Sequence, residues 1–506
     1  MKTAFQCLTT LLFSLAISAQ CAAQSLDFLV SDPIPDPDAK RVAAGMDAER
    51  FYLLRVIPDG GNDLAHLEGW SRTTLLREFD KPLQVPVVNA EEFKVCGFAV
   101  QPNTIRVFYS FYSKADDKLV FAMAPFSAQG KPLGDAVQLD ERAGSKERKA
   151  GYYTVRHDAE SGRSLLAYQR AAWGMFEGCS NPDIWLACME PDGRLSFAKD
   201  LNLGKQKCYY MQDAMTDRTG NIYLKLADNT ISERPDGEPC AHKVFTVNVA
   251  TSATTSHCAP ELEKRVVYKD RARFVRDEMG AVHFAAAYGH MSEYRLEGIQ
   301  FASFDPSSAE LLKDKAYHFT AYHPKDVKHS DKDPKFMSAA AVLGYAVTPT
   351  GHLRIYGEEY LANNTMAQAG ELSYWGLELD PATGIGKPWV CEAKRKYAMT
   401  GVPANSFLDH VVRLQGKDYL LTNDMPVNLG KACGALEPWG GTGFMEQMAA
   451  AYMPLDPGPD FGTRGAVSAS PVEDRWWLPF TARPNEEHIM RLFNRNSMRW
   501  VRVRAM

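Results

Sequence analysis

Apolar and polar residues alternate with a period of two along most of this chain, and Asp, Gly, Pro and Asn interrupt the alternation at short intervals. Residues 276–288, RDEMGAVHFAAAY, show the unit: a tight turn, then a return strand rich in apolar residues. Related segments begin at Val42, Cys96, Tyr153, Met211, Leu343, Leu408 and Ala466. Each predicts an antiparallel hairpin, because a turn-forming cluster joins two strands of half-buried character. Second hairpins begin at Leu119, Ile184, Ile299 and Trp375, where Pro-Asp-Gly and Asp-Pro supply the turns.

Two hairpins per unit make four strands, and the repeat length of about 60 residues matches a propeller blade with its loops. The expected fold is all-β, a single β-propeller of eight four-stranded blades, with seven blades as the alternative. A lone sheet of this size leaves its faces wet, whereas blades packed on one another bury them. The segment from Ala466 reads as the first hairpin of the eighth unit. The hairpins from about Arg475 onward are compressed, and the unit before them has a poor fourth strand. A further strand, LDFLV from Leu26, is available to pair with the last blade.

The first residues change the picture of where the protein works. Lys2 precedes an apolar run from Leu8 to Ile17 and then small residues to Ala23, the layout of a secretory signal peptide over residues 1–23. The propeller domain then occupies 24–506, in a secreted or periplasmic protein. No stretch is long and apolar enough for a transmembrane helix. Lys and Arg number 57 against 62 Asp and Glu, a formal net charge of −5, so nucleic acid is not an expected partner.

Of ten cysteines, Cys7 and Cys21 lie in the leader, and eight remain, an even number suited to disulfides in an oxidising compartment. The expected pairs are Cys179 with Cys188, Cys391 with Cys433, and Cys208 with Cys258 or Cys240. Cys96 has no assigned partner. The alternative use of this sulfur is a zinc site drawn from Cys208, Cys240, His242 and Cys258. No other metal and no cofactor is expected.

One hairpin carries a resemblance. LDPATGIGKPW, from Leu379 to Trp389, resembles the Asp-x-x-Thr-Gly turn followed by Trp in the repeats of quinoprotein (PQQ-type) propellers. Trp389 stands one place later than in that motif, and the other units lack both Thr-Gly and Trp. The resemblance therefore implies the type of fold and no quinone site.

In a propeller blade the first and third turns emerge on one face, while the loops between second and third strands, and the crossovers between blades, emerge on the other. Here the long loops all belong to the second group, so that face is the expected functional surface. Its expected rim comprises Tyr153, Arg170, Tyr210, Asp213, Asp228, Arg273, Tyr288, His290, Glu358, Glu359, Asp409, His410, Asp424 and Arg483. Carboxylates, arginines and tyrosines in such a mixture suit a hydroxyl-rich ligand. Trp173 and Phe176 in one long loop, and Trp439 and Phe444 in another, are candidate sugar platforms beside Arg170, Tyr210 and Asp424.

These features point to a monomeric binding protein for an extracellular or envelope ligand, a glycan first and an envelope protein second. One alternative is a carbohydrate-active enzyme: a glycoside hydrolase drawing its acid and base from Asp213, Glu358 and Asp409, or a polysaccharide lyase using Arg273, Tyr288 and His290. The other is an interaction scaffold of the cell envelope.

Overall fold

The computed structural model describes residues 26–34, 40–57, 64–82, 90–143, 151–158, 160–169, 184–201, 209–228, 242–258, 265–290, 295–319, 340–360, 370–393, 395–397, 410–424, 426–432, 449–456, 462–467, 476–483, 486–493 and 498–506. Among them the chain forms eight antiparallel blades of a β-propeller, each built on four strands paired in sequence order. Blades 1 to 8 span residues 40–82, 90–143, 152–201, 209–258, 265–318, 340–397, 410–466 and 476–505. The last has only three strands of its own, and Leu26–Val30 supplies the fourth by pairing antiparallel with Met498–Ala505, Leu26 opposite Ala505. The count of eight and the closing role of LDFLV agree with the sequence.

The blades fall into two compact units. One comprises Asp36–Ser406 with Pro438–Gly440 and contains blades 1 to 6; the other comprises Met1–Pro35, Phe407–Glu437 and Gly441–Met506 and contains blades 7 and 8.

Burial follows strand position. In blade 3 the second strand, Ser164–Gln169, and the third, Ile184–Met189, are buried at every residue, whereas the fourth, Leu195–Leu201, is largely exposed. Middle strands lie between neighbouring blades and so read as continuous apolar runs, while the outer strand is polar enough to blunt an open edge. Apolar clusters fill the seams of the larger unit: Phe121, Tyr153 and Trp185 lie between blades 2 and 3, and Phe301, Leu353 and Trp375 between blades 5 and 6. In the smaller unit, Leu26, Val412 and Val501 share one cluster.

The recurring turn has a simple cause. In blades 4 and 5 an Asp begins it and a Gly three residues later accepts a left-handed backbone, Gly220 at φ +96° and Gly280 at φ +88°. The Asp amide donates to the carbonyl just beyond the Gly, Asp217 to Asn221 at 3.1 Å and Asp277 to Ala281 at 3.0 Å. The Asp217 carboxylate also accepts from the Asn221 amide.

Two expectations need correction. The segment from Ala466 is not a hairpin: Gly465–Ala466 is the last strand of blade 7, and Trp476–Arg483 is the first strand of blade 8, paired with Glu487–Phe493. Pro471 and Asp474, read in the sequence as the hairpin turn, lie outside the described residues. Cys188 is a free, buried thiol, so its expected disulfide with Cys179 is not formed. It stands in the middle of a strand, opposite Leu165 and Phe197, where it packs as a small apolar residue.

Candidate functional site

The first strands of the blades offer few open side chains. Among those whose side chains are described, only Lys94, Tyr152, Arg156 and Arg273 are exposed. Lys94 belongs to the first strand of blade 2 (Ala90–Gln101), Tyr152 and Arg156 to that of blade 3 (Tyr152–His157), and Arg273 to that of blade 5 (Arg265–Arg276).

Blade 3 carries two of the four, and its first strand is regular. The pairing from Tyr152 opposite Gln169 to His157 opposite Ser164 runs without a shift, whereas the first strands of blades 1, 2, 4, 5, 6 and 8 each contain a bulge. With period two intact, Tyr152, Thr154 and Arg156 line one face in a straight row. Adjacent first strands lie together between blades 1 and 2, 2 and 3, 4 and 5, and 5 and 6. At the seam of blades 3 and 4, however, the first strand of blade 4 (Tyr209–Thr216) lies against the second strand of blade 3. The row therefore lies at the seam with blade 4, which Arg156 and Asp213 bridge.

Each end of the row is anchored from behind. The Tyr152 hydroxyl donates to Gln169 Oε1 at 3.2 Å, and the same oxygen accepts the Met211 amide at 2.9 Å. Arg156 Nη1 lies 2.6 Å from Asp213 Oδ1, while the Arg156 side chain remains 54% exposed. Asp213 is itself buried and accepts from two backbone amides, Ala214 at 3.0 Å and Phe274 at 3.3 Å. Opposite it in register stands Lys225, fully buried, whose Nζ donates to Ala272 O. Asp213 and Lys225 thus satisfy two backbone groups on the first strand of blade 5, which leaves Asp213 as a fixed support for Arg156.

Other expected site residues are placed differently. Tyr153 is buried, not on an open rim: its ring stacks on Phe121 at 4.2 Å and its hydroxyl donates to Asp140 at 2.7 Å. Burial and that carboxylate push its ionisation well above the usual phenol range. Tyr288 is fully buried with its hydroxyl 3.2 Å from His318 Nδ1, while Arg273 is exposed, so the structure does not bring those two members of the lyase set together. Tyr210, Asp228, His290, Glu358, Glu359, His410, Asp424 and Arg483 stand in strands where only the backbone is described, as do His242 and Cys258. Arg170, Trp173, Phe176, Cys179, Cys208, Cys240, Asp409, Cys433, Trp439 and Phe444 lie outside the described residues. Cys391 is disulfide-bonded to a partner outside the described residues. Trp389 packs on the third strand of its own blade, filling the space above Gly376.

Two further polar groupings are internally matched. In blade 1 the fully buried Glu68 is paired with Arg41, Arg55 and Arg77, and Asp80 with Arg55 and His66. In blade 5 His283 bridges Asp277 and Ser303 at 3.1 Å each. The same cross-strand His–Ser contact recurs at His157 and Ser164 in blade 3, which marks it as a tie between strands.

The missed residues are Tyr152, Thr154 and Arg156. Their signal was present in YYTVRH, where tyrosine, threonine and arginine fall on alternate positions of a strand. Comparisons with known proteins give this chain no family. No family model and no curated protein matches the chain. Among solved structures it is similar to a prolyl endopeptidase at 14% identity and TM-score 0.35, over 84% of this chain and 51% of that one, so it spans about half of that protein. It is also similar to the phage phi92 endosialidase (8% identity, TM-score 0.32, 95% of this chain and 70% of that one) and to an α-L-arabinanase of Penicillium chrysogenum (9%, 0.31, 79% and 92%).

Proposed function

We propose that this chain is a secreted or periplasmic propeller that binds a glycan along the first strand of blade 3. The carrying observation is the row Tyr152, Thr154 and Arg156: a tyrosine 45% exposed, a half-buried hydroxyl and an exposed guanidinium, in line on one strand. Four residue steps along the strand lead from Tyr152 to Arg156, about 13 Å at roughly 3.3 Å per residue, so the row suits an oligomeric ligand. An aromatic face covers the apolar side of a sugar ring, while hydroxyl and guanidinium groups hydrogen-bond its oxygens.

Calorimetric titration with arabinan, galactan and polygalacturonate oligosaccharides tests this reading. Replacing Tyr152 with Ala is expected to weaken binding by roughly 1–3 kcal/mol, the scale of an aromatic anchor, with the melting temperature unchanged. Equal binding by the variant, or no binding of any oligosaccharide by the parent, sinks the proposal. Following reducing ends and the absorbance of unsaturated uronates in the same mixtures separates a binder from a hydrolase or lyase.

A further inference from the structure

We infer that the ligand of this site is an anionic polysaccharide, gripped through its carboxylate or sulfate groups by Arg156; this rests on the glycan reading above. The chain as a whole is acidic, with a formal net charge of −5. Yet the exposed charged side chains described on the first strands are all cations: Lys94, Arg156 and Arg273. Neither Lys94 nor Arg273 has a carboxylate partner among the described residues, and the carboxylate nearest the row, Asp213, is buried and already bonded to two amides.

Arg156 is set up for recognition as well as attraction. Asp213 holds one guanidinium nitrogen at 2.6 Å from a support that cannot move without exposing Phe274 N and Ala214 N. A guanidinium carries five N–H donors in a planar fork, so those not directed at Asp213 remain available at the exposed side. Orientation fixed in advance spares a ligand the loss of side-chain freedom that a loose lysine or arginine would incur on binding. Arg156 is thus the anion-contacting residue and Asp213 a positioning residue behind it.

The test uses the full secreted chain and matched polymers: polygalacturonate, the same polymer with its carboxyls reduced to alcohols, heparin, and single-stranded DNA as an anion that is not a glycan. The expected result is binding to polygalacturonate or heparin that is at least tenfold tighter than to the reduced polymer and that weakens with added salt. Arg156→Gln should lose that margin and the salt dependence without lowering the melting temperature. Arg156→Lys should recover the salt dependence but only part of the affinity, because a point charge replaces a fork. Asp213→Asn should weaken the acidic polymers several-fold while leaving any binding of the reduced polymer as it was, a selectivity that a merely structural role would not give. Equal binding of acidic and reduced polymers overturns this inference and leaves the glycan reading standing. Binding of neither, nor of heparin, overturns this inference, and the glycan reading falls with it when arabinan and galactan also fail to bind. Binding of DNA as tight as that of the acidic glycans, through Arg156, overturns the assignment to a glycan.

Discussion

Tyr152 and Tyr153 are neighbours in the chain with opposite surroundings: the first is 45% exposed and the second 4%. Successive side chains on a strand face opposite ways, so a slip of one residue exchanges the core face for the open one. The sequence shows that this strand exists, but two adjacent tyrosines leave its parity open, and the choice of Tyr153 for the rim put the wrong ring in solvent. A second residue-scale consequence concerns pH. His157 is held neutral by burial, with its nitrogens 3.1 Å from Ser164 Oγ and from Val100 O, and its pKa is pushed below the ordinary value of 6.5. The unfolded chain takes up this proton first as pH falls, so the contribution of His157 to stability is complete above about pH 6.5 and is lost below it. Asp158, Asp277 and Glu378 are depressed as well: burial works against their charge, and hydrogen bonds and charges led by Arg276, His283 and His352 respectively together outweigh it. Their contributions are present above the ordinary carboxylate range of about 4 and lost as pH falls through it. Urea midpoints should therefore decline from pH 7.5 to pH 5.5, and less so in His157→Gln. Equal slopes for parent and variant would show that His157 is not part of that titration.

Hairpins were legible because each has a local cause, a short turn such as the Asp-to-Gly turns of blades 4 and 5, whose hydrogen bonds close within five residues. Blade boundaries are set by contacts between distant segments, so the Pro and Asp between Ala466 and Trp476 read as a turn when the pairing partner of Trp476–Arg483 lies after it. The same limit applies to the cysteines. An even count suggests pairing, but whether a given cysteine lies in a loop or in a strand buried on both faces depends on packing. Cys188 is in such a strand, and burial pushes its thiol pKa up, which suppresses the reactive thiolate. Iodoacetamide should leave Cys188 unmodified in the native protein and label it in guanidinium without reductant. Labelling only after reduction would show that Cys188 is in a disulfide after all.

At the scale of the whole molecule, eight blades could be counted from repeated turns plus one stray strand, while the placing of Tyr152 and Arg156 beside blade 4 could not be foreseen, because it depends on which strand of blade 3 meets blade 4. The stray strand also has a temporal meaning. Leu26–Val30 is fixed by Met498–Ala505, by Asp27 paired with Arg502 and Arg504, and by Ser31 bonded to Trp500. A chain emerging from a ribosome or a translocon carries its earliest strand unpaired until its latest one has been made, so blade 8 is the slowest part to assemble and the most exposed to adventitious strand pairing meanwhile. A circular permutant that carries residues 26–34 on a short linker after Met506 turns that distant meeting into a local hairpin and should refold faster with little change in equilibrium stability. Refolding at the parent's rate would place the slow step elsewhere. A chaperone that shields the leading strand, rather than one that speeds collapse, is the form of help that this architecture calls for.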